Sequence, residues 1–148
     1  MRLIMCEKQN LENPEVTIAY SVMTPSVKRV ADFVQLVDQT IVCRKENEEL
    51  YVPVREIYYV ESVDKKTFVY CKKEVFQSNL KLYEVENMLE NAGFVRVSKS
   101  IILNIAMLKG VKTLVNSRLE ARLSNGESVC VTRKYLKDIK EALLRRNG

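Results

Sequence analysis

Hydroxyl and ammonium side chains alternate in the short run Ser98-Lys99-Ser100. Such groups suit a phosphate oxygen or a base edge, because an ammonium donates hydrogen bonds and a hydroxyl both donates and accepts them. Residues 94–97 before the run alternate at the strand period, and residues 101–103 after it are apolar. A polar tip between two apolar anchors predicts a binding loop held on a rigid scaffold.

Two further groups of cations lie at predicted element ends. Lys65 and Lys66 stand in a turn that leads into Thr67, and Arg133 and Lys134 follow the last predicted strand. Taken singly, each is most simply a solvated surface residue. Together they would supply cations for phosphates and side chains for base edges.

The positive charge of the chain is unevenly distributed. Residues 1–49 carry 6 basic and 8 acidic side chains, whereas residues 50–148 carry 18 basic and 11 acidic ones. A basic region of this kind is typical of polyanion binders, although many ordinary domains are as basic. No apolar run is long enough to span a bilayer, and the N-terminus lacks a signal-peptide pattern, so we expect a cytoplasmic protein.

The sequence offers little for catalysis. It contains no His for acid–base chemistry, no nucleophile motif and no acidic cluster with metal-ligand spacing. The best acidic candidates are Glu61 and Asp64, but a Glu61 carboxylate that accepts backbone hydrogen bonds at a strand end is the simpler interpretation. We predict no enzymatic activity and no cofactor.

A metal site is not expected either. Four cysteines are scattered without a C-x-x-C pair, at Cys6, Cys43, Cys71 and Cys130. Zinc would need all four brought together from distant segments, so small, mostly apolar thiols in or near strands are predicted instead.

The patterning after residue 49 predicts a mostly β, α+β fold of antiparallel sheets with short helices. The predicted strands are residues 50–54, 57–62, 67–71, 75–78, 108–115, 118–123 and 128–131, with strand-forming residues also in 94–104. A helix is predicted within 79–91, ended by Gly93, and a second after a Thr132 cap. Asn125-Gly126 predicts a hairpin turn.

Residues 1–45 are predicted to form a small ββαβ annex. Its strands are expected at 2–7, 15–21 and 40–44, and its helix at 25–38 after the pair Thr24-Pro25. The charged run 45–49 is the predicted joint, which divides the chain into domains 1–45 and 46–148.

Three motifs in order resemble the LytTR family of DNA-binding domains in bacterial transcriptional regulators. In chain order they are Glu56-Ile-Tyr-Tyr-Val-Glu-Ser62, Phe94-Val-Arg-Val-Ser-Lys-Ser-Ile-Ile-Leu-Asn104 and Val131-Thr-Arg-Lys-Tyr135. The resemblance implies a fold whose loops enter successive major grooves of double-stranded DNA. It maps the first contact onto Lys65 to Thr67, where some members carry His at the last position. The second maps onto Lys99, where others carry Asn or Arg, and the third onto Arg133.

The function that the resemblance implies is sequence-specific DNA binding by a transcriptional regulator without a receiver domain. The residues predicted to contact DNA are Lys65, Lys66, Thr67, Arg96, Ser98, Lys99, Ser100, Arg133 and Lys134. We expect a homodimer on two half-sites, with residues 1–45 in contact with the second copy or with a membrane-bound regulatory partner. The alternatives are a protein-interaction module with an incidental basic surface and, less favoured, an RNA binder.

Overall fold

The computed structural model describes the backbone of residues 1–147 and the side chains of residues 1–145. This described part of the chain forms three α-helices: α1 Pro25–Leu36, α2 Leu82–Leu89 and α3 Leu136–Asn147. The first five strands are β1 Thr40–Lys45, β2 Glu48–Pro53, β3 Tyr59–Val63, β4 Lys66–Tyr70 and β5 Val75–Ser78. The remaining strands are β6 Phe94–Arg96, β7 Ile101–Asn104, β8 Leu108–Leu114, β9 Arg118–Leu123 and β10 Ser128–Val131.

The strands form two antiparallel sheets. Seven strands pair in the order β2-β1-β5-β4-β3-β7-β6, and three pair in the order β10-β9-β8. The prediction of a mostly β fold with short helices is therefore confirmed. Predicted strands 75–78, 118–123 and 128–131 have the bounds observed for β5, β9 and β10.

Buried side chains form two clusters on opposite faces of the larger sheet. Neighbouring residues of β7 separate between them: Ile102 joins the cluster beneath α2, and Leu103 joins the cluster beneath the smaller sheet and α3. This follows from the alternation of side chains along a strand. Because Leu103 is fully buried, truncating it to Ala would cost about 2–5 kcal/mol.

Asn104, the last residue of the motif from Phe94 to Asn104, has a structural role. Asn104 is buried, its Nδ2 donates to the Ile57 carbonyl at 2.8 Å, and its Oδ1 accepts from the Ala106 N–H at 3.0 Å. An amide satisfied on both sides is stable inside a core, where an unpaired polar group would be costly. Asn104 thus fixes the far end of the motif.

The N-terminal segment differs from its prediction. Residues 2–7 and 15–21 form no strand in the described chain, so those two predicted strands are wrong. Alternating polarity supplies an apolar face, but a strand also needs a neighbour to complete its backbone hydrogen bonds, and no described segment pairs with either run. Helix α1 is confirmed: Thr24 Oγ1 accepts from the Val27 N–H at 3.3 Å, and Pro25 begins the helix.

Strand β1 belongs to the larger sheet. It pairs with β2 through Ile41 and Val52, and with β5 through Arg44 and Gln77. The charged run predicted as a joint contains the β1–β2 turn, in which Glu46 and Asn47 have positive φ angles of 52° and 65°. A ββαβ annex is therefore wrong. The division into residues 1–45 and 46–148 stays a prediction, although the β1–β2 pairing runs across it.

The predicted helices form with adjusted starts. Helix α2 begins later than predicted because the side chain of Ser78 accepts from the Leu80 N–H at 3.1 Å and holds a turn there. Helix α3 follows a short 3₁₀ turn, Arg133–Tyr135. Thr132 does not cap it as predicted, since its hydroxyl lies 3.5 Å from the Val97 carbonyl oxygen.

Within the described residues, none of the helices combines the length and the apolar character needed to cross a membrane.

Candidate nucleic-acid interface

Two backbone hydrogen bonds bring the three predicted contact segments together. The Ser62 N–H, at the end of β3, donates to the Ser100 carbonyl at 2.8 Å. The Thr132 N–H, just after β10, donates to the Val97 carbonyl at 3.0 Å. The loop between β6 and β7 therefore lies between the end of β3 and the segment that carries Arg133.

The β6–β7 loop is short and closed by its own hydrogen bonds. The Val97 N–H donates to the Ile101 carbonyl at 3.0 Å, and the Ser100 N–H donates to Ser98 Oγ at 3.2 Å. Val97 is fully buried, whereas Lys99 is exposed. The loop thus anchors itself in the core at one residue and presents an ammonium two residues later.

Arg96 points its guanidinium group into this loop. Its Nε donates to the Ser98 carbonyl at 2.8 Å, its Nη2 donates to the Lys99 carbonyl, and its Nη1 lies 3.2 Å from Glu86 Oε2. All three guanidinium nitrogens are engaged inside the chain. The predicted DNA contact is thus an internal clamp in this structure.

Lys65 lies in the hairpin turn between β3 and β4, and Lys66 is the first residue of β4. Asp64 and Lys65 have φ angles of 50° and 64°, the left-handed pair typical of a two-residue hairpin turn whose twist matches its strands. Both lysines are exposed. This end of the hairpin therefore presents two adjacent ammonium groups.

Thr67 does not join this exposed set. The residue is 3% exposed and its side chain lies on the same face of β4 as Val69, which is fully buried. A buried hydroxyl cannot reach a base edge while the strand stays in place. The prediction that Thr67 contacts DNA therefore has no support from its position, and the two-residue spacing to Val69 was the signal that could have shown this.

Arg133 and Lys134 are exposed in the 3₁₀ turn after β10. Lys134 Nζ lies 5.6 Å from the centre of the Tyr135 ring, and Tyr135 packs against the second core cluster. The aromatic face attracts the ammonium and favours its position on this side of the turn.

Five cations remain exposed across these loops. Among the residues that the structure describes, none of the five forms an ion pair. They are Lys65, Lys66, Lys99, Arg133 and Lys134. Their charge is therefore available to an anionic partner.

The remaining candidates for chemistry have structural roles. Glu61 accepts a hydrogen bond from Tyr70 Oη at 3.3 Å rather than from backbone as predicted. The Tyr70 ring stacks on Tyr59 with centroids 4.3 Å apart. Burial raises the pKa of both phenols, and the nearby carboxylates, Glu61 at Tyr70 and chiefly Glu127 at Tyr59, raise it further, so both hydroxyls are neutral at physiological pH.

Two of the four cysteines are buried or half-buried, and two are exposed. Burial raises the pKa of the Cys43 and Cys71 thiols to about 11, so both are protonated at neutral pH. Cys6 and Cys130 are exposed and distant in sequence. Within the described residues, no group of Cys, Asp and Glu side chains is placed to hold a metal ion.

No sequence pattern pointed to Glu86 as a functional residue. It follows the buried Val85 on α2, and only the folded chain places its carboxylate beside Arg96. No local pattern connects two residues ten positions apart on a helix and a strand.

The chain combines an antiparallel β fold with exposed cations on neighbouring loops. This combination is typical of a domain that binds a polyanion. Residues 47–144 match the family model of the LytTr DNA-binding domain. This match covers more than half of the chain. The chain belongs to the LytTR DNA-binding domain family, as its three motifs indicated.

Relatives and a solved structure agree with this assignment. The chain is 32% identical over 98 residues to the sensory transduction protein LytT of Bacillus anthracis, a match that covers 66% of this chain and 40% of that protein. It is 25% identical over 107 residues to the transcriptional regulatory protein YpdB of Escherichia coli, covering 72% of this chain and 44% of YpdB. The chain thus spans about two fifths of the length of these relatives.

A third relative has similar length. The match to an uncharacterized HTH-type transcriptional regulator of Staphylococcus aureus is 26% identical over 145 residues and covers 97% of this chain and 98% of that protein. Among solved structures, the LytTr DNA-binding domain of a methyl-accepting/DNA response regulator from Bacillus cereus superposes with a TM-score of 0.67. It is 25% identical and covers 72% of this chain and 97% of that domain.

Proposed function

We propose that this chain is a cytoplasmic, sequence-specific transcriptional regulator that inserts its loops into the major groove of double-stranded DNA. The observation that carries the proposal is the pair of backbone hydrogen bonds that joins the β6–β7 loop to the ends of β3 and β10. These bonds place the cations of three separate segments on adjoining loops. Membership of a DNA-binding family supports duplex DNA as the anionic partner.

The side chains divide into those that recognise sequence and those that hold phosphates. Lys99 and Arg133 are exposed close to Val97 and Thr132, whose backbones are hydrogen-bonded to each other, so we assign both cations to base edges. Arg can donate two hydrogen bonds to guanine, whereas Lys provides a single point of donation.

Phosphates are assigned to the cations beside this centre. Lys65, Lys66 and Lys134 carry flexible ammonium groups that suit oxygens of the DNA backbone. Ser98 and Ser100 are half-buried, and the Ser100 N–H donates to Ser98 Oγ within the loop. Toward the described residues neither hydroxyl donates a hydrogen bond, so we assign both as donors to a phosphate.

A binding titration tests the proposal directly. A fluorescent duplex, selected by the wild-type chain from a random-sequence pool, should bind in the nanomolar range and more tightly than a scrambled duplex or a double-stranded RNA. Equal affinity for selected and scrambled duplexes would exclude sequence-specific recognition. Tighter binding of RNA would favour the RNA-binding alternative.

We propose further that two copies bind paired half-sites through contacts of the N-terminal segment. Large apolar side chains of this segment are exposed in the single chain: Met1, Leu3, Ile4, Met5, Val16, Tyr20, Val22 and Met23. Residues 16, 18, 20 and 22 alternate with polar or small residues, as in a strand with one apolar face. Since two copies would lie side by side on paired half-sites, we assign this face to contact with the second copy.

The protein-interaction alternative concerns the same segment. An exposed apolar strand-like run is also what a membrane-bound regulatory protein would bind. The mass of the free chain in solution separates the two partners, because only self-association gives a dimer without any other protein.

A further inference from the structure

An ion pair joins α2 to the loop that presents Lys99. Glu86 Oε2 lies 3.2 Å from Arg96 Nη1, and the other two guanidinium nitrogens donate to the carbonyls of Ser98 and Lys99. One guanidinium therefore connects a helix to two consecutive peptide groups of a loop.

The geometry leaves Arg96 little freedom to contact DNA itself. Its side chain is 22% exposed, and its planar donor groups already have acceptors within the chain. A residue that held phosphate would instead keep its donors turned to solvent. Its neighbour Lys99 has that exposed position.

Holding two consecutive carbonyls fixes the direction in which the loop points. The peptide groups of Ser98 and Lys99 flank the Cα atom of Lys99, so their orientation determines where its side chain leaves the backbone. An ordered loop also loses less conformational entropy on binding than a loop that must be ordered by the ligand.

Glu86 provides the fixed end of this connection. It stands on α2, whose Leu82, Val85 and Leu89 are buried in the first core cluster. The carboxylate is thereby tied to a packed helix and gives the guanidinium a charged acceptor at one edge. The side chains of Glu86 and Arg96 therefore connect the loop to the packed core.

We infer that Glu86 and Arg96 are positioning residues for DNA binding: Glu86 holds the guanidinium of Arg96, and Arg96 holds the carbonyls that direct Lys99. This inference rests on the proposed function. It gives an acidic residue a favourable role in binding a polyanion, which is opposite to its direct electrostatic effect.

Charge repulsion and positioning predict opposite effects of Glu86 on DNA affinity, so substitutions in the intact chain distinguish the two. Glu86→Ala removes a carboxylate, so repulsion alone predicts tighter binding to the selected duplex. Positioning predicts weaker binding, by roughly three- to tenfold. Glu86→Gln removes the same charge but keeps an acceptor oxygen, so it should recover part of the loss.

The matched control is Glu90→Ala. Glu90 is exposed at the C-terminal end of the same helix and forms no ion pair among the described residues. This variant should bind as well as the wild type or better. If Glu86→Ala behaves like Glu90→Ala, the positioning role is overturned.

The role of Arg96 is tested by charge conservation. Arg96→Lys keeps the positive charge but cannot hold two carbonyls and a carboxylate in one plane. It should weaken binding about as much as Arg96→Gln, and both should leave the salt dependence of binding close to that of the wild type. A phosphate contact would give a different result: Arg96→Lys would bind as tightly as the wild type, and Arg96→Gln would reduce the slope of log K against log salt concentration by roughly 0.9.

Hydrogen exchange of the free protein separates this inference from the proposed function. The Ser100 amide should exchange faster in Glu86→Ala than in the wild type or in Glu90→Ala, while the thermal midpoint stays near that of the wild type. If the wild type bound no selected duplex, the proposed function would be refuted. The hydrogen-exchange result would still test whether Glu86 and Arg96 hold the loop. Unchanged exchange would overturn the clamp whatever the DNA result.

Discussion

The carbonyl of Val97 accepts two hydrogen bonds from Thr132, one from the N–H at 3.0 Å and one from the hydroxyl at 3.5 Å. These residues lie 35 positions apart in the chain. Through this contact the end of β10 is joined to the β6–β7 loop, and the turn that carries Arg133 starts from a fixed point beside Lys99.

We first predict that Thr132→Val destabilises the protein modestly. The substitution keeps the backbone hydrogen bond to Val97 and removes only the one from the hydroxyl, so the free energy of unfolding should fall by about 0.5–1.5 kcal/mol. Urea denaturation measures it. Thr113→Val, at an exposed position of β8, should show no comparable loss; equal losses in the two variants would mean that the Thr132 hydroxyl contributes nothing specific.

A second prediction separates recognition from general attraction. Lys99→Ala and Arg133→Ala should each lose about 1–3 kcal/mol of binding free energy on the selected duplex, with little change in thermal midpoint, because both side chains are exposed. The control is Lys73→Ala, an exposed lysine beyond the opposite end of β4 from Lys66. Early melting of either site variant would show that the residue is structural.

The third prediction concerns salt. Each phosphate contact should steepen the fall of log K by roughly 0.9 per tenfold rise in salt concentration. Lys65→Ala and Lys66→Ala should therefore each flatten the slope measured on a scrambled duplex, whereas Lys73→Ala should not. A wild-type affinity that is insensitive to salt would contradict the electrostatic part of the proposal.

Thr67 provides a fourth, discriminating substitution. Since its side chain is buried, Thr67→Val should leave DNA affinity unchanged. Anisotropy titration against the selected duplex measures this. A loss of about 1–3 kcal/mol would instead restore Thr67 as the base contact that the family resemblance implied.

The fifth prediction is a pH dependence of stability. The pKa of the Cys43 and Cys71 thiols is raised from about 9 in the unfolded chain to about 11 in the folded one. Thiols that resist ionisation in the folded state contribute stability that is fully present below pH 9 and is lost as the pH rises towards 11. Urea midpoints between pH 8 and pH 11 should therefore fall, and the fall should be smaller in a Cys43→Ala, Cys71→Ala double variant.

Much of the fold follows from local sequence patterns. Strand alternation and turn chemistry located β5, β9 and β10 to the residue, and the pair Thr24-Pro25 marked the start of α1. The three motifs, in their order, identified the family and the exposed cations Lys99 and Arg133. Such features depend on residues within a few positions of each other, so the sequence by itself determines them.

Only the tertiary structure decided how these pieces are used. Residues 15–21 have strand patterning but pair with no strand of the described residues, whereas β1 pairs with β2 and β5 and so joins the larger sheet. Arg96 has a sequence position suited to DNA, yet Glu86 and two loop carbonyls occupy its donors. A side chain or strand takes its role from the acceptors and neighbours that folding brings to it, and these lie too far along the chain for any local pattern to specify.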